Sequence, residues 1–428
     1  MKGRWAGLVV AVLFYGGLSV VAQDAPWWTR LNDPLLTELV GGLPGQNPDW
    51  KAMDHRVTQA THLAQVPRAL QWPSLELTGS LSRTNLRFFP LTEASYAQVG
   101  AQVRWEWDFF GRRAQDIKAA DAQLSQQVAA RQGVQAQLVA DLALAVIHWR
   151  DTSRRLHHMR LELAARETQA SMAQALHQAG LADPAKWHQV AIVVTQLRSQ
   201  VAQLESDAAA ATYHLIQLTG RTDTPQWVDT HESDDIPLVS LEADKERPLT
   251  VLSQRADIQQ ARAAMVAANA QLGALEAQTW PSVSVGGYWG SFQLMDTGNR
   301  MTGWSASMDV SYPLFTFWRL SNQVDAASEG EKAAILGYES TVKKAVRDSM
   351  SAFKQLVAAE KIAQQSQTML KDQGDILRLH TMRFSSGLID FGTLCETQAT
   401  YHAFKGMAIR QQSELSRAFV QYHRDMGL

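Results

Sequence analysis

From Val99 to Phe109 the chain alternates strictly. Val99, Ala101, Val103, Trp105, Trp107 and Phe109 fall on one face, and Gly100, Gln102, Arg104, Glu106 and Asp108 on the other. A period of two with one apolar and one wet face predicts a β-strand. Past Gly111 the pattern becomes helical, rich in Ala and Gln and free of Pro from Arg112 to about Ala179. A continuous helix of that length is on the order of 100 Å long. The same change recurs later: Trp304, Ala306, Met308, Val310, Tyr312 and Leu314 alternate with Ser305, Ser307, Asp309, Ser311 and Pro313, and Phe315 to Arg319 leads into a second Ala/Gln-rich helix.

The remaining elements fall around these two transitions. Trp27-Trp28 and Asp33 to Val40 form a short amphipathic lead-in, and Gly41 to Gly45 reads as a turn. Asn47-Pro48-Asp49 is a helix start, with a capping residue, Pro at the first position and an acid in the first turn. That helix runs to about Ala69, before Trp72-Pro73. Leu75, Leu77 and Leu81 then mark a first strand, and Thr84 to Ser95, with Pro90, is the loop of a hairpin. The first long helix ends at Gly180-Leu181-Ala182-Asp183-Pro184, where Gly closes one helix and Asp-Pro opens the next, which reaches about Thr219. Residues 221–247 read as an irregular connector. The second half predicts a helix from about Thr250 to Ala277 and a strand through Val283 to Trp289. A hairpin loop over Phe292 to Gly303 and the second alternating strand follow. A helix from about Ser321 to Phe384, a turn over Ser385 to Asp390 and a last helix complete the chain.

Landmarks repeat at a nearly constant offset. Trp72-Pro73 and Trp280-Pro281 lie 208 residues apart, Phe110 and Phe315 205, and Gly180-Leu181 and Gly387-Leu388 207. Three matches in three different elements indicate internal duplication. The expected units are residues 23–220, holding a hairpin over 73–110 and a tip near 180–184, and residues 248–428, holding a hairpin over 281–315 and a tip near 385–391.

Composition and charge narrow the function. The 428 residues exceed one ordinary globular domain, and a net charge of −2 gives no footprint for nucleic acid. A single cysteine, Cys395, excludes an intramolecular disulfide and any CxxC site. Lys2 and Arg4, then the apolar Ala6 to Val21 and the small residues ending at Ala22, predict an export signal over residues 1–22. The alternative is a retained anchor, for which sixteen residues containing Gly16 and Gly17 are short against the ~20 a spanning helix needs. No later stretch is apolar enough to span as a helix, so membrane insertion would have to use β-strands.

Four strands make two hairpins, too few for a sandwich with its own core. Polar residues on one face, apolar ones on the other and aromatics at the strand ends suit outer-membrane strands, with the polar face toward a lumen. Trp105, Trp107, Phe109 and Phe110, with Tyr312 and Phe315 in the second half, sit where a membrane interface would lie, and Arg112 and Arg113 fall at headgroup level. A soluble half-buried sheet shows the same period. In the membrane reading four strands cannot close a barrel, so several copies must.

Taken together the chain resembles the TolC/OprM/NodT class of outer-membrane efflux channels. The resemblance rests on Asp33-Pro34-Leu35, Asn47-Pro48-Asp49, Trp72-Pro73-Ser74, Trp107-Asp108-Phe109-Phe110-Gly111-Arg112, Arg255-Ala256-Asp257-Ile258, Trp280-Pro281-Ser282 and Gly387-Leu388-Ile389-Asp390, in this order within a duplicated frame. It implies a mostly helical protein with a small β part. Four membrane strands per chain would join a trimeric twelve-stranded barrel, continued by coiled-coil helices as a periplasmic tunnel. It also implies a passive exit duct of a tripartite efflux pump or type I secretion system. Adaptor docking would fall at Gly180, Leu181, Asp183, Gly387, Leu388 and Ile389, with Phe391 also apolar there. The partners implied are a periplasmic adaptor, an inner-membrane pump and outer-membrane lipid. Gln23 follows Ala22 where many relatives carry a lipidated Cys, so no lipid anchor is expected. Thr393 and Glu396 stand where relatives carry tip acids, which puts a strongly acidic gate in doubt.

Catalytic and metal chemistry finds little support. The sequence has no HExxH, no phosphate-cradling Gly loop and no motif-placed carboxylate pair, so neither an enzyme nor a cofactor is expected. His157-His158 lie on neighbouring helix faces, meeting solvent or a helix seam, and His177 and His188 flank the first tip without a third ligand. Asp390, Thr393 and Glu396 are the aperture candidates. In a three-fold assembly each acid becomes a carboxylate ring that favours cations; alternatively Asp390 caps the last helix. Competing readings are a periplasmic coiled-coil adaptor, which would carry one hairpin and soluble β-domains, and a soluble scaffold, which has no use for Trp-rich strands.

Overall fold

The computed structural model describes residues 26–86, 92–181, 183–220, 236, 249–295 and 297–427. The expected signal over 1–22 and the connector over 221–247, apart from Ile236, lie outside them. A 3-10 turn (Trp27–Leu31) leads into α1 (Pro34–Gln46) and α2 (Pro48–Ala69). The hairpin β1 (Ser74–Leu86) and β2 (Thr92–Trp107) then feeds α3 (Arg112–Gln178), and α4 (Pro184–Thr219) returns beside it. The second half has α5 (Ala256–Ala277), β3 (Ser282–Leu294), β4 (Arg300–Ser311), α6 (Phe317–Ser385) and α7 (Phe391–Met426). The two halves match in length. The short helices have 22 residues each, the first strands 13 each, the long helices 67 and 69, and the return helices 36 each. The duplication is therefore structural.

Beside the sheet, α2 and α5 pack against α3, and α5 also packs against α6; farther out, α4 and α7 pack on α3, and α7 also pairs with α6. The main core lies in the middle of the body. Leu138 to Trp149 of α3 meets Leu35, Leu36 and Leu39 of α1, Leu215 of α4, Leu356 of α6 and Phe419 of α7. Here α3 is buried nearly all round, whereas toward the sheet its buried positions are Ala119, Ala122 and Ala129, small residues that let helix backbones approach. A buried ion pair pins the core. Arg150 reaches Asp33 with Nη1···Oδ2 at 2.8 Å and Nη2···Oδ1 at 3.1 Å, and their side chains are 4% and 0% exposed. Asp33 also accepts from the Leu36 N–H at 3.1 Å, capping α1 with Pro34 in its first turn. One carboxylate thus opens a helix and neutralises an arginine from α3.

Asn47 makes a second such junction. Its Oδ1 accepts from the Asp49 and Trp50 N–H groups to cap α2, while its Nδ2 donates to the Leu218 carbonyl near the end of α4 at 2.9 Å. Gly220, at φ +72°, closes α4 against the Gln46 carbonyl, where a Cβ would collide with backbone.

Several sequence expectations shift. The turn expected over Gly41 to Gly45 is the end of α1: Leu35, Leu36, Leu39 and Leu43 bury one face, and that burial carries the helix through three glycines and Pro44. The hairpin loops are shorter than expected, because β1 and β2 pair out to Leu86 and Thr92, and β3 and β4 from Gln293 and Arg300, where side chains no longer alternate in hydrophobicity. The strands also end earlier at the helical side. Phe109 lies beyond β2, and Tyr312, Leu314 and Phe315 beyond β4. Thr250 to Gln254 form a 3-10 turn, and α5 begins only after Arg255, which is extended and ion-paired to Asp257 at 2.8 Å.

Candidate functional site

The four strands form one antiparallel sheet in the order β1-β2-β3-β4, so the two hairpins of the duplicated halves pair directly through β2 and β3. The register aligns the apolar positions across all four strands. Leu75 pairs with Val103, Val103 with Gly287 and Gly287 with Ala306; one row on, Leu77, Ala101, Trp289 and Trp304 align. Trp105 and Trp107 pair with Val285 and Val283, which pair with Met308 and Val310. Along β2 this face runs from Ala97 to Trp107, about 33 Å at about 3.3 Å per residue. With the ~40° tilt of barrel strands its height is about 25 Å, the height of an outer-membrane apolar band. Leu77, Trp289 and Trp304 on this face are 83%, 68% and 79% exposed, so no described residue covers them.

The opposite face carries Glu76, Gln102, Arg104, Glu106, Ser284 and Asp309 in the same register. Tyr288 lies across Gly100 and Gly290 on this side, and a Cβ at either glycine would collide with its ring. The ring fills the groove between β2 and β3. Among the described residues, the outer edges of β1 and β4 have no partner strand.

The junction of sheet and body is built by the Trp107 to Arg112 motif. Trp105, Trp107 and Phe109 pack edge to face at 5.3 and 5.4 Å, and Phe110 stacks on Trp280 at 5.3 Å, joining the two halves. The Trp105 indole N–H donates to the Gln71 carbonyl at 2.9 Å. Gly111 takes φ +74°, a left-handed conformation that lets the strand swing into α3. Asp108 accepts from the Arg113 and Ala114 N–H groups at 3.1 and 3.0 Å and so caps α3 across five and six residues, a spacing that sequence reasoning missed. Glu106 draws in Arg113 at 3.0 Å and Arg112 at 3.5 Å, and Arg113 also donates to the Leu70 carbonyl. On the second half, Tyr312, Phe315 and Trp318 project freely around the same level, with Phe315 fully exposed. The four aromatics of the first half thus pack together at this junction, and Tyr312 and Phe315 follow directly on the end of β4.

At the other end the two tips have the same hydrogen-bond pattern. The Leu181 N–H donates to the Leu176 carbonyl and the Gly180 N–H to that of His177; at the second tip Leu388 donates to Arg383 and Gly387 to Phe384, all at 2.8–2.9 Å. These are Schellman caps, and both glycines sit at φ +71°. Three residues on, Asp183 accepts from the Ala185 N–H at 2.9 Å and Asp390 from the Thr393 N–H at 2.8 Å. Asp390 also takes the Thr393 hydroxyl at 2.9 Å, and these bonds hold its carboxyl below the ordinary range. Asp390 and Thr393 are thus occupied in capping α7. Glu396 is the freer acid, exposed and 3.9 Å from Arg166 of α3. Leu181 and Leu388 are 76% and 72% exposed, Ile389 is half-buried and Phe391 packs on Phe384.

Among the described residues no three His, Cys, Asp or Glu side chains group to hold a metal, and no helix is long and apolar enough to cross a membrane. An apolar-faced sheet with open edges, standing on a long helical body that ends in two hairpin tips, is the protomer geometry of an outer-membrane exit channel. The chain belongs to the outer membrane efflux protein family, whose model matches residues 42–221 and 248–421.

The chain is 23% identical over 407 residues to the toluene efflux pump outer membrane protein TtgI of Pseudomonas putida, covering 92% of this chain and 85% of that one. It is 26% identical over 335 residues to the cation efflux system protein CusC of Escherichia coli, covering 76% and 71%. The outer-membrane channel OprN shares the fold with a TM-score of 0.83 at 22% identity, over 94% of this chain and 92% of that one. The protein is an outer-membrane efflux duct with a large periplasmic helical part, from a family that works with adaptor and inner-membrane pump components. The adaptor and scaffold readings fall with this assignment.

Proposed function

We propose that three copies close their sheets into one twelve-stranded barrel and their helices into a periplasmic tunnel through which cargo passes without chemistry. The observation that carries this is the open β1 and β4 edges beside an apolar face about 25 Å high, since exposed edges in lipid demand closure. The collar of Trp105, Trp107, Phe109, Phe110, Tyr312 and Phe315 marks the periplasmic membrane interface. The tips at Gly180, Leu181 and Asp183 and at Gly387, Leu388 and Ile389 present rigid backbone and exposed leucines to a periplasmic adaptor fed by an inner-membrane pump. Of the aperture residues Asp390, Thr393 and Glu396, the first two serve as the cap, and Glu396 supplies the carboxylate ring. No catalytic role, cofactor or nucleic-acid partner is proposed.

Relatives are named for toluene and for cations, so cargo selection is assigned to the pump. The test is reconstitution: purified from the outer membrane into planar bilayers, the protein should conduct ions through single channels, and Glu396→Gln should lower cation selectivity. Absence of conductance in any preparation would sink the duct, and unchanged selectivity would remove Glu396 from the aperture.

A further inference from the structure

The antiparallel seam between α3 and α7 carries side-chain contacts at three levels. Nearest the tips, Arg166 faces Glu396 at 3.9 Å. About 12 Å farther along α3, at 1.5 Å per residue, the His158 and His402 Nδ1 atoms approach to 3.4 Å with their rings stacked. About 15 Å beyond that, the Arg417 guanidinium reaches His148 Nδ1 at 2.9 Å. Arginine can only donate, so His148 Nδ1 accepts and its imidazole is neutral. Two facing Nδ1 atoms can bond only if one donates and the other accepts, so the His158–His402 contact also requires an unprotonated nitrogen.

The surroundings sharpen this requirement. Among the described residues, the charged groups around His158 are His157 and Arg154 on α3 and His402 and Lys405 on α7. Gln367 of α6 and Ile236, both uncharged, help line an adjoining cavity of about 320 Å³ that reaches the His158 ring. Around His148 stand Asp151 of α3, Asp207 and His214 of α4, and Arg417 of α7, which also holds Glu414 at 3.2 Å and faces Asp151 across the seam at 3.9 Å. Burial first, and the basic neighbours second, hold His158 down to about 4 and push His148 and His402 below the ordinary imidazole range. All three imidazoles are therefore neutral at neutral pH.

We propose that the α3–α7 seam is a proton-operated latch: neutral imidazoles at two levels hold the two helices together, and acidification sets like charges against each other and parts them, widening the duct. The sign follows from linkage. A base whose proton affinity is depressed in the closed seam and ordinary in the open one stabilises closure above its ordinary pKa, and that contribution is lost as pH falls through the lower value. Taking His158 at about 4 closed and 6.5 open, the open-to-closed ratio rises by at most roughly 30-fold between neutral pH and pH 5. Half-exposure of the ring lowers that ceiling.

The latch rests on the duct reading, and two measurements separate their failures. In planar bilayers, wild-type open probability should rise severalfold from pH 7.5 to pH 5. The double variant His158→Gln with His402→Gln, whose amides still donate and accept but cannot titrate, should lose most of that rise. A flat wild-type profile, or an unchanged rise in the variant, overturns the latch; no conductance at any pH overturns the duct instead. Should the variant fail to assemble, amide exchange of the wild-type trimer decides. Corrected for its intrinsic pH dependence, exchange in α3 and α7 around His158 and His402 should accelerate severalfold at pH 5, and equal corrected rates overturn the proposal.

Discussion

Asp33 joins two roles whose energies can be separated. Its carboxylate caps α1 through the Leu36 N–H and pairs doubly with Arg150, both side chains being out of contact with water. Replacing it by Asn keeps a capping oxygen but removes the buried carboxylate that pairs doubly with the Arg150 guanidinium, a loss of up to about 3–5 kcal/mol. Replacing it by Ala removes the cap as well and should cost about 1 kcal/mol more. Arg150→Met strands the carboxylate instead and should cost a similar amount. The double variant Asp33→Asn with Arg150→Met removes both charges together, so it should lie well above the sum of the singles. Denaturant unfolding of the detergent-solubilised protein, followed by tryptophan fluorescence, reads the difference, because Trp27 and Trp149 lie in the same core. An Asp33→Asn variant within about 0.5 kcal/mol of wild type, or singles that simply add, would refute the argument.

Three further outcomes are expected. Asp390→Ala should destabilise the start of α7 by about 1 kcal/mol, seen as faster amide exchange at Thr393. Because the Thr393 bonds depress the Asp390 carboxyl, the cap is whole above the ordinary carboxylate range and fades only as pH falls through the lower folded value. Gly387→Ala forces a side chain into a left-handed conformation and should cost about 1–2 kcal/mol, loosening the tip without disturbing the sheet; a tip exchange pattern equal to wild type would contradict it. Gly290→Val drives a side chain into Tyr288 and the Val99 carbonyl between β2 and β3, so heat-modifiable barrel material on a gel should be lost, whereas Gly303→Val, with open space at its Cβ position, should keep it.

Much of this was legible in the sequence because it is local. Alternation located the strands, the Pro-free Ala/Gln runs located α3 and α6, and Gly180 and Gly387 with Asp183 and Asp390 three residues on located the tips. The motif Asp33-Pro34-Leu35 marked a helix start, but its partner Arg150 lies 117 residues away and no spacing rule reaches it. The same holds for His158 and His402, separated by 244 residues and joined only when α3 and α7 pack. Gly41 to Gly45 misled because local propensity favours a turn there, and the burial of Leu39 and Leu43 against α3 and α4 overrides it. The strand ends differ for two reasons: at the hairpin loops pairing continues past the apolar alternation, and at the helical side the alternation outlasts the pairing.

The open edges of β1 and β4 make one demand above all others. Native mass measurement of the protein extracted from the outer membrane should give a particle of three chains, each close to the 47.5 kDa of the sequence or to that mass less a cleaved leader. A single chain recovered there as a stable, folded species would mean that the four-stranded sheet survives in lipid with its edges unpaired, and the barrel would have to be abandoned.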